Sequence, residues 1–181
     1  LAALRELKPG ASPAENNADG FFALARQFER SGEPARARDA YQWARNLDAL
    51  RFRAPSEMNR VIREVASATG TTHVDVESAL AKSSRNGIVG NSLMLEHLHP
   101  NLRGYFLLAD AYFQALIRRP GELSWDEGPE RAVAWQEIPV TEIEELAAGY
   151  RLRYLKADWP FQEQRQQVTI EPPRDPVTQI A

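Results

Sequence analysis

The segment EHLHPNLRGY, residues 96–105, places an acid and a histidine three positions apart and a proline directly after the histidine. Pro100 and Asn101 precede an apolar run with helical spacing, so the segment is predicted to form a tight turn that enters a helix. An imidazole whose ring is held by a nearby carboxylate can act as a general base. Glu96 and His99 are therefore the candidate catalytic pair of this sequence.

Length and composition are typical of an ordinary globular chain. The 181 residues can bury one good core, or one core with a satellite helical module. The net charge is −3, and the basic side chains form no stripe or aromatic-interleaved platform, which argues against a nucleic-acid partner. No apolar stretch is long enough to span a membrane, and the absence of cysteine excludes disulfides and thiol catalysis. Because Leu1 is not a methionine, we expect a piece of a longer protein, and the compartment stays open.

The chain divides into five predicted segments. Residues 1–18 are broken by proline, glycine and asparagine and predict an irregular leader. Residues 19–49 predict a helical hairpin, and residues 50–118 contain the candidate pair within helices and one short strand. Residues 119–161 predict a helical extension, and residues 162–181, rich in glutamine and proline, predict a linker.

The hairpin at residues 19–49 resembles a tetratricopeptide repeat. Large and small side chains follow the repeat's order on its two helices, with a glycine at the turn: Phe21, Leu24, Ala25 and Phe28, then Gly32, then Ala37, Tyr41 and Ala44. Ala49 stands where the repeat usually has proline. One such unit cannot bury its own faces, so either further repeats precede Leu1 or the hairpin docks on the neighbouring domain. The resemblance implies a protein partner bound through these helices.

Residues 50–118 predict helices around one short strand. Ser56 is expected to cap a helix that ends at Gly70, and the β-branched residues 71–76 predict the strand. Residues 82–92 predict a loop, and the helix after the histidine turn is expected to run to about Arg118. A helix followed by a strand is typical of a βαβ layer, so the predicted fold class is mainly α with a small β element.

The acid-x-x-His-Pro block resembles the last conserved block of the SGNH/GDSL hydrolases, normally written Asp-x-x-His-Pro. Glu96 and His99 match its spacing, and Pro100 matches its proline. The resemblance covers about residues 50–118 and implies the C-terminal part of an α/β, flavodoxin-like three-layer hydrolase domain. It implies His99 as general base and Glu96 as orienting acid for an ester or acylated small-molecule or glycan substrate. Glutamate is one methylene longer than the family's aspartate.

The nucleophile of that family has no counterpart in the sequence, because no Gly-Asp-Ser turn occurs in it. Ser12 follows Gly-Ala, and Asn16 and Asn91 lack the family's Gly-x-Asn-Asp setting for an oxyanion donor. The resemblance therefore implies that the nucleophile and the first strands lie upstream of Leu1. It also implies that the 181-residue chain alone is inactive.

Other interpretations of the same residues stay open. His99 could cap the following helix while Glu96 is a solvated acid. His97 and His99 alternate as in some zinc sites, but no third ligand lies near in sequence, so no metal and no cofactor are predicted. His73 and Asp75 are interpreted as structural. The chain could instead be an interaction module without catalysis, and an unpaired strand edge could support a homodimer.

Overall fold

A computed structural model describes residues 17–118 and 128–169 of the chain. The described residues are mainly helical and belong to two compact units that divide between residues 127 and 128. Most of the predicted leader, the segment 119–127 with Trp125, and the end of the predicted linker lie outside the described residues. The helices are α1 (Ala18–Arg30), α2 (Pro34–Leu47), α3 (Ser56–Thr69), α4 (Val76–Lys82), a 3-10 turn (Arg85–Gly87), α5 (Leu102–Ile117), α6 (Arg131–Gln136) and α7 (Glu142–Lys156).

The predicted helical hairpin is present as α1 and α2. Asn17 caps α1 by accepting a hydrogen bond from the backbone N–H of Gly20 at 2.8 Å. Gly32 forms the turn with a φ of +73°, a conformation that favours glycine. Pro34 then begins α2, where its missing N–H leaves no helical hydrogen bond unmade.

Alanines form the centre of the hairpin core. Ala25, Ala37 and Ala40 are fully buried, and the ring of Phe28 packs with them. Because an alanine side chain is a single methyl group, the two helix backbones can approach closely at these positions. A second small cluster is formed by Phe21 and Ala44 and is partly covered by Leu24 and Trp43. The small and large positions predicted from the sequence are therefore those that pack.

Polar contacts and one apolar side chain attach the hairpin to the chain that follows it. Arg45 of α2 donates from Nη1 to Glu77 of α4 at 2.7 Å and from Nη2 to the Ser56 hydroxyl at 2.8 Å. Asn46 accepts the backbone N–H of Ser56 at 2.9 Å, and Ile88 packs against the hairpin core. The hairpin therefore contacts residues that follow it within its own compact unit.

The predicted strand at residues 71–76 is wrong. Most of the segment has no regular structure, and Asp75 caps α4 by accepting the backbone N–H of Ser78 at 3.0 Å. A β-branched segment becomes a strand only when a neighbour supplies its hydrogen bonds. Within the described ranges the β pairing is limited to one isolated bridge, between Met94 and Pro100. The mainly helical part of the predicted fold class is confirmed, and the strand edge no longer supports a homodimer.

The remaining predicted helices are present within two residues of their expected bounds. The predicted cap at Ser56 is wrong, because Pro55 is the N-cap of α3 and Ser56 is the first residue of the helix. The helix α3 ends before Gly70, which takes a left-handed φ of +67°, and α5 ends at Ile117. Thr141 caps α7 through a capping box with Glu144. The short helices α4 and α6 were not predicted. In the portion of the chain that the structure describes, every helix is too short or too polar to cross a membrane.

Candidate active site

A small closed loop, residues 93–101, carries the candidate pair. The loop begins at Leu93, which is fully buried, and the carbonyl oxygen of Leu93 accepts the backbone N–H of Asn101 at 2.9 Å. Inside this closure the backbone N–H of Leu95 donates to the carbonyl oxygen of His99 at 2.8 Å. The segment 93–101 therefore returns on itself, and the side chains at its tip are held close to one another.

The first turn of α5 is packed tightly against this loop. Asn101 caps the helix by accepting the backbone N–H of Gly104 at 3.0 Å. Gly104 is buried, and a Cβ atom at this position would lie 2.2 Å from the carbonyl oxygen of Leu93 and 2.8 Å from Cβ of Pro100. Only glycine fits this approach, so the sequence Pro-Asn-Leu-Arg-Gly fixes the position of the loop on the helix.

Glu96 is the buried centre of the loop, with a side chain only 1% exposed. Its Oε1 accepts the backbone N–H of His99 at 2.8 Å and also contacts Nδ1 of the same residue. Its Oε2 accepts the backbone N–H of Leu98 at 2.9 Å and lies 2.8 Å from Nδ1 of His97. The alternative of a solvated Glu96 and a capping His99 is wrong, because the acid is enclosed and Asn101 is the cap.

The surroundings of Glu96 favour its ionised form. Burial raises the pKa of the carboxyl, but the backbone N–H groups of His99 and Leu98, the His99 side chain and the charge of His97 together lower it below its ordinary value of 4.5. A carboxylate that accepts two backbone N–H groups is stabilised as an anion. At neutral pH the loop therefore presents a negative charge to both imidazoles.

One ring nitrogen of His99, Nδ1, contacts the Glu96 carboxylate, and the side chain is half-exposed, at 56%. No residue in the described parts of the chain forms a hydrogen bond with Nε2 of this ring. With the proton held on Nδ1 by the carboxylate, Nε2 carries a lone pair and can accept a proton from outside.

His97 is more enclosed than His99, with a side chain that is 26% exposed. Its ring packs edge-on against Phe52, with 4.4 Å between the ring centroids. The sequence showed His97 only as a possible metal ligand, and Phe52, more than forty positions upstream, gave no signal at all. The described residues hold no cluster of three or more histidine, cysteine, aspartate or glutamate side chains that could bind a metal ion.

The other residues considered from the sequence lie apart from this loop or have other contacts. Asp75 caps α4, and the hydrogen bonds that it accepts from the backbone and side chain of Ser78 lower its pKa. The backbone carbonyl oxygen of Asn91 accepts a long hydrogen bond from the side-chain Nδ2 of Asn101, at 3.4 Å. Ser12 and Asn16 lie outside the described residues. Searches of protein-family models, of curated proteins and of solved structures found no match to this chain.

Proposed function

We propose that this chain is the part of an SGNH/GDSL-like ester hydrolase that carries the general base, His99, and its orienting acid, Glu96. The observation that carries the proposal is the contact between the buried Glu96 carboxylate and Nδ1 of a half-exposed His99 ring. A general base of this kind needs one nitrogen fixed by an acid and the other open to the nucleophile. The loop supplies both conditions.

The reaction follows from this arrangement. A serine hydroxyl from polypeptide outside the 181 residues approaches Nε2 of His99, which takes its proton as the oxygen attacks the ester carbonyl. Glu96 stabilises the imidazolium that forms. The imidazolium then protonates the departing alcohol, which leaves an acyl-serine. A water molecule then attacks the acyl carbon while His99 removes one of its protons. The second tetrahedral intermediate collapses as His99 gives that proton to the serine oxygen, which leaves and releases the acid. The substrate class is a carboxylic ester or an acylated small molecule or glycan.

The exposed apolar face of α3 supports the α/β part of the proposal. Four side chains at helical spacing on α3 are between 39% and 56% exposed: Met58, Val61, Ile62 and Val65. Helices of an α/β layer bury such a face against a sheet. The face is therefore of the kind that a sheet of the proposed hydrolase domain would cover.

Replacement of His99 tests the proposed function directly. In a protein that joins this chain to its nucleophile, His99→Ala should lower hydrolysis of p-nitrophenyl acetate by about a thousandfold. Labelling by a fluorophosphonate, which reacts with an activated serine, should fall with it. His73→Ala is the matched control, because His73 is an exposed histidine between α3 and α4, and it should leave both readouts unchanged. Wild-type turnover in His99→Ala would refute the proposal.

A second candidate function is a tetratricopeptide-like module that binds a protein partner. The observation that favours it is an aromatic pair on the hairpin, in which Phe22, 51% exposed, lies edge-on to the partly buried Tyr41 with 5.5 Å between the ring centroids. Phe22→Glu should abolish recovery of the partner in a pull-down without disturbing the core. Phe28 is a poor choice for this test, because it is buried among the alanines. Full recovery by folded Phe22→Glu would reject this function.

A further inference from the structure

We propose that His97 is a positioning residue for this reaction, because its ring fixes one oxygen of Glu96 and thereby keeps the other oxygen on Nδ1 of His99. The inference rests on the proposed function and deepens it. It assigns a task to the second histidine of the Glu-His-Leu-His turn, which the general base mechanism leaves unused.

The two oxygens of Glu96 have matching sets of neighbours. Oε1 has one backbone N–H, that of His99, and one imidazole nitrogen, from the same residue. Oε2 also has one backbone N–H, that of Leu98, and one imidazole nitrogen, that of His97 at 2.8 Å. A carboxylate held at both oxygens cannot rotate about its last bond without losing contacts on both sides. The imidazole on Oε2 therefore acts on the orientation of Oε1.

The length of the acid explains why a second imidazole is useful here. Glutamate has one more rotatable bond than aspartate, so fixing its carboxylate in one orientation costs more conformational entropy. A backbone N–H on each oxygen limits where the carboxylate lies, and the His97 ring adds a further contact that opposes its rotation. The residue that departs from the family's aspartate thus has an added constraint beside it in this structure.

The surroundings of the two histidines fit the two tasks proposed for them, which are to hold the acid (His97) and to act as the base (His99). His97 is 26% exposed and packs against Phe52, whereas His99 is 56% exposed. An edge-on aromatic contact at 4.4 Å limits the rotation of the His97 ring. The restrained ring is suited to hold the acid, and the more open ring is suited to meet a substrate.

The test reads the tautomer of His99 by long-range proton–nitrogen NMR in the ¹⁵N-labelled 181-residue chain, at a pH where the ring is neutral. The wild-type chain should hold the proton on Nδ1. His97→Asn keeps an N–H donor near the position of the His97 Nδ1 and should preserve that tautomer. His97→Ala removes donor and ring, and His97→Phe removes only the donor while it keeps an aromatic ring beside Phe52. Both should lose the Nδ1–H tautomer as the major form.

The inference is overturned if His97→Ala and His97→Phe keep the wild-type tautomer of His99. Amide shifts of α1 and α2 report whether each variant is folded, and His97→Phe decides the matter if His97→Ala loses its loop. The readout requires neither substrate nor nucleophile. Dependence of the tautomer on His97 in a protein that hydrolyses no ester would therefore refute the proposed function alone. Loss of hydrolysis in His99→Ala with an unchanged tautomer in the His97 variants would refute this inference alone.

Discussion

Gly104→Ala should disturb the candidate site although Gly104 carries no functional group. The added Cβ would lie 2.2 Å from the carbonyl oxygen of Leu93 and 2.8 Å from Cβ of Pro100. An ordinary carbon–oxygen contact is about 3.3 Å, so the loop or the helix must move by about 1 Å. Neither neighbour is the flexible end of a side chain, and the same Leu93 oxygen accepts the N–H of Asn101. The displacement therefore acts on the hydrogen bond that closes the loop.

The expected cost of Gly104→Ala is about 0.5–4.5 kcal/mol of stability. Forcing an extra methyl group into a packed site costs about 1–3 kcal/mol, and weakening the closing hydrogen bond adds about 0.5–1.5 kcal/mol. The better helix propensity of alanine returns up to about 1 kcal/mol. Gly149→Ala is the matched control, since Gly149 lies in α7 and nothing is within 4 Å of a Cβ at that position. It should stabilise α7 by about 0.5–1 kcal/mol.

Amide hydrogen exchange is the assay of choice, because it reads α5 and α7 separately in a chain with two compact units. Exchange at Asn101, whose N–H closes the loop, should accelerate in Gly104→Ala, and exchange in α5 should follow. Neither should change in Gly149→Ala. Unchanged protection of Asn101 in Gly104→Ala would refute the close approach of helix and loop.

Three further predictions follow from the packing and the charges. The pKa of Glu96 is lowered in the folded chain, so its stabilising contribution is present above pH 4.5 and is lost as the pH falls through the lower folded value. The NMR shift of the His99 amide should report this titration, because that N–H donates to Glu96, and an amide shift that does not change with pH would contradict the prediction. Burial and the hydrogen bond to Glu29 raise the pKa of Tyr41 from 10.0 to about 12, so the hairpin should lose at most about 3 kcal/mol between pH 10 and 12. Ultraviolet titration of Tyr41 in Glu29→Gln should give a lower pKa, and an unshifted curve would exclude the contact. Ala40→Leu should destabilise the hairpin by about 1–3 kcal/mol in urea unfolding, because Ala40 is fully buried. Ala35→Leu, at an exposed position of the same helix, should not destabilise it. Equal free energies of unfolding for the two variants would argue against the alanine core.

Helices could be predicted from this sequence because their signals are local. The spacing of apolar residues in α1, α2, α3 and α5 and the glycine that follows α3 lie within a few positions of the elements they determine. The strand at residues 71–76 could not be judged in this way, because a strand depends on a partner elsewhere in the chain. Asp75, as the cap of α4, decided the local structure of that segment instead.

The candidate site shows the same division between local and distant signals. The spacing of Glu96 and His99 was enough to predict that the two side chains lie close together, since a three-residue separation in a tight turn brings them into contact. The burial of the acid was not predictable, because it depends on closure of the loop by the Leu93 carbonyl and on the approach of Gly104. Burial matters to the proposed function, because an enclosed carboxylate held by backbone N–H groups keeps one orientation while the imidazole beside it is half-exposed. The short acid–histidine spacing brings the two side chains into contact, but the surrounding loop determines whether that contact is fixed well enough to orient a base.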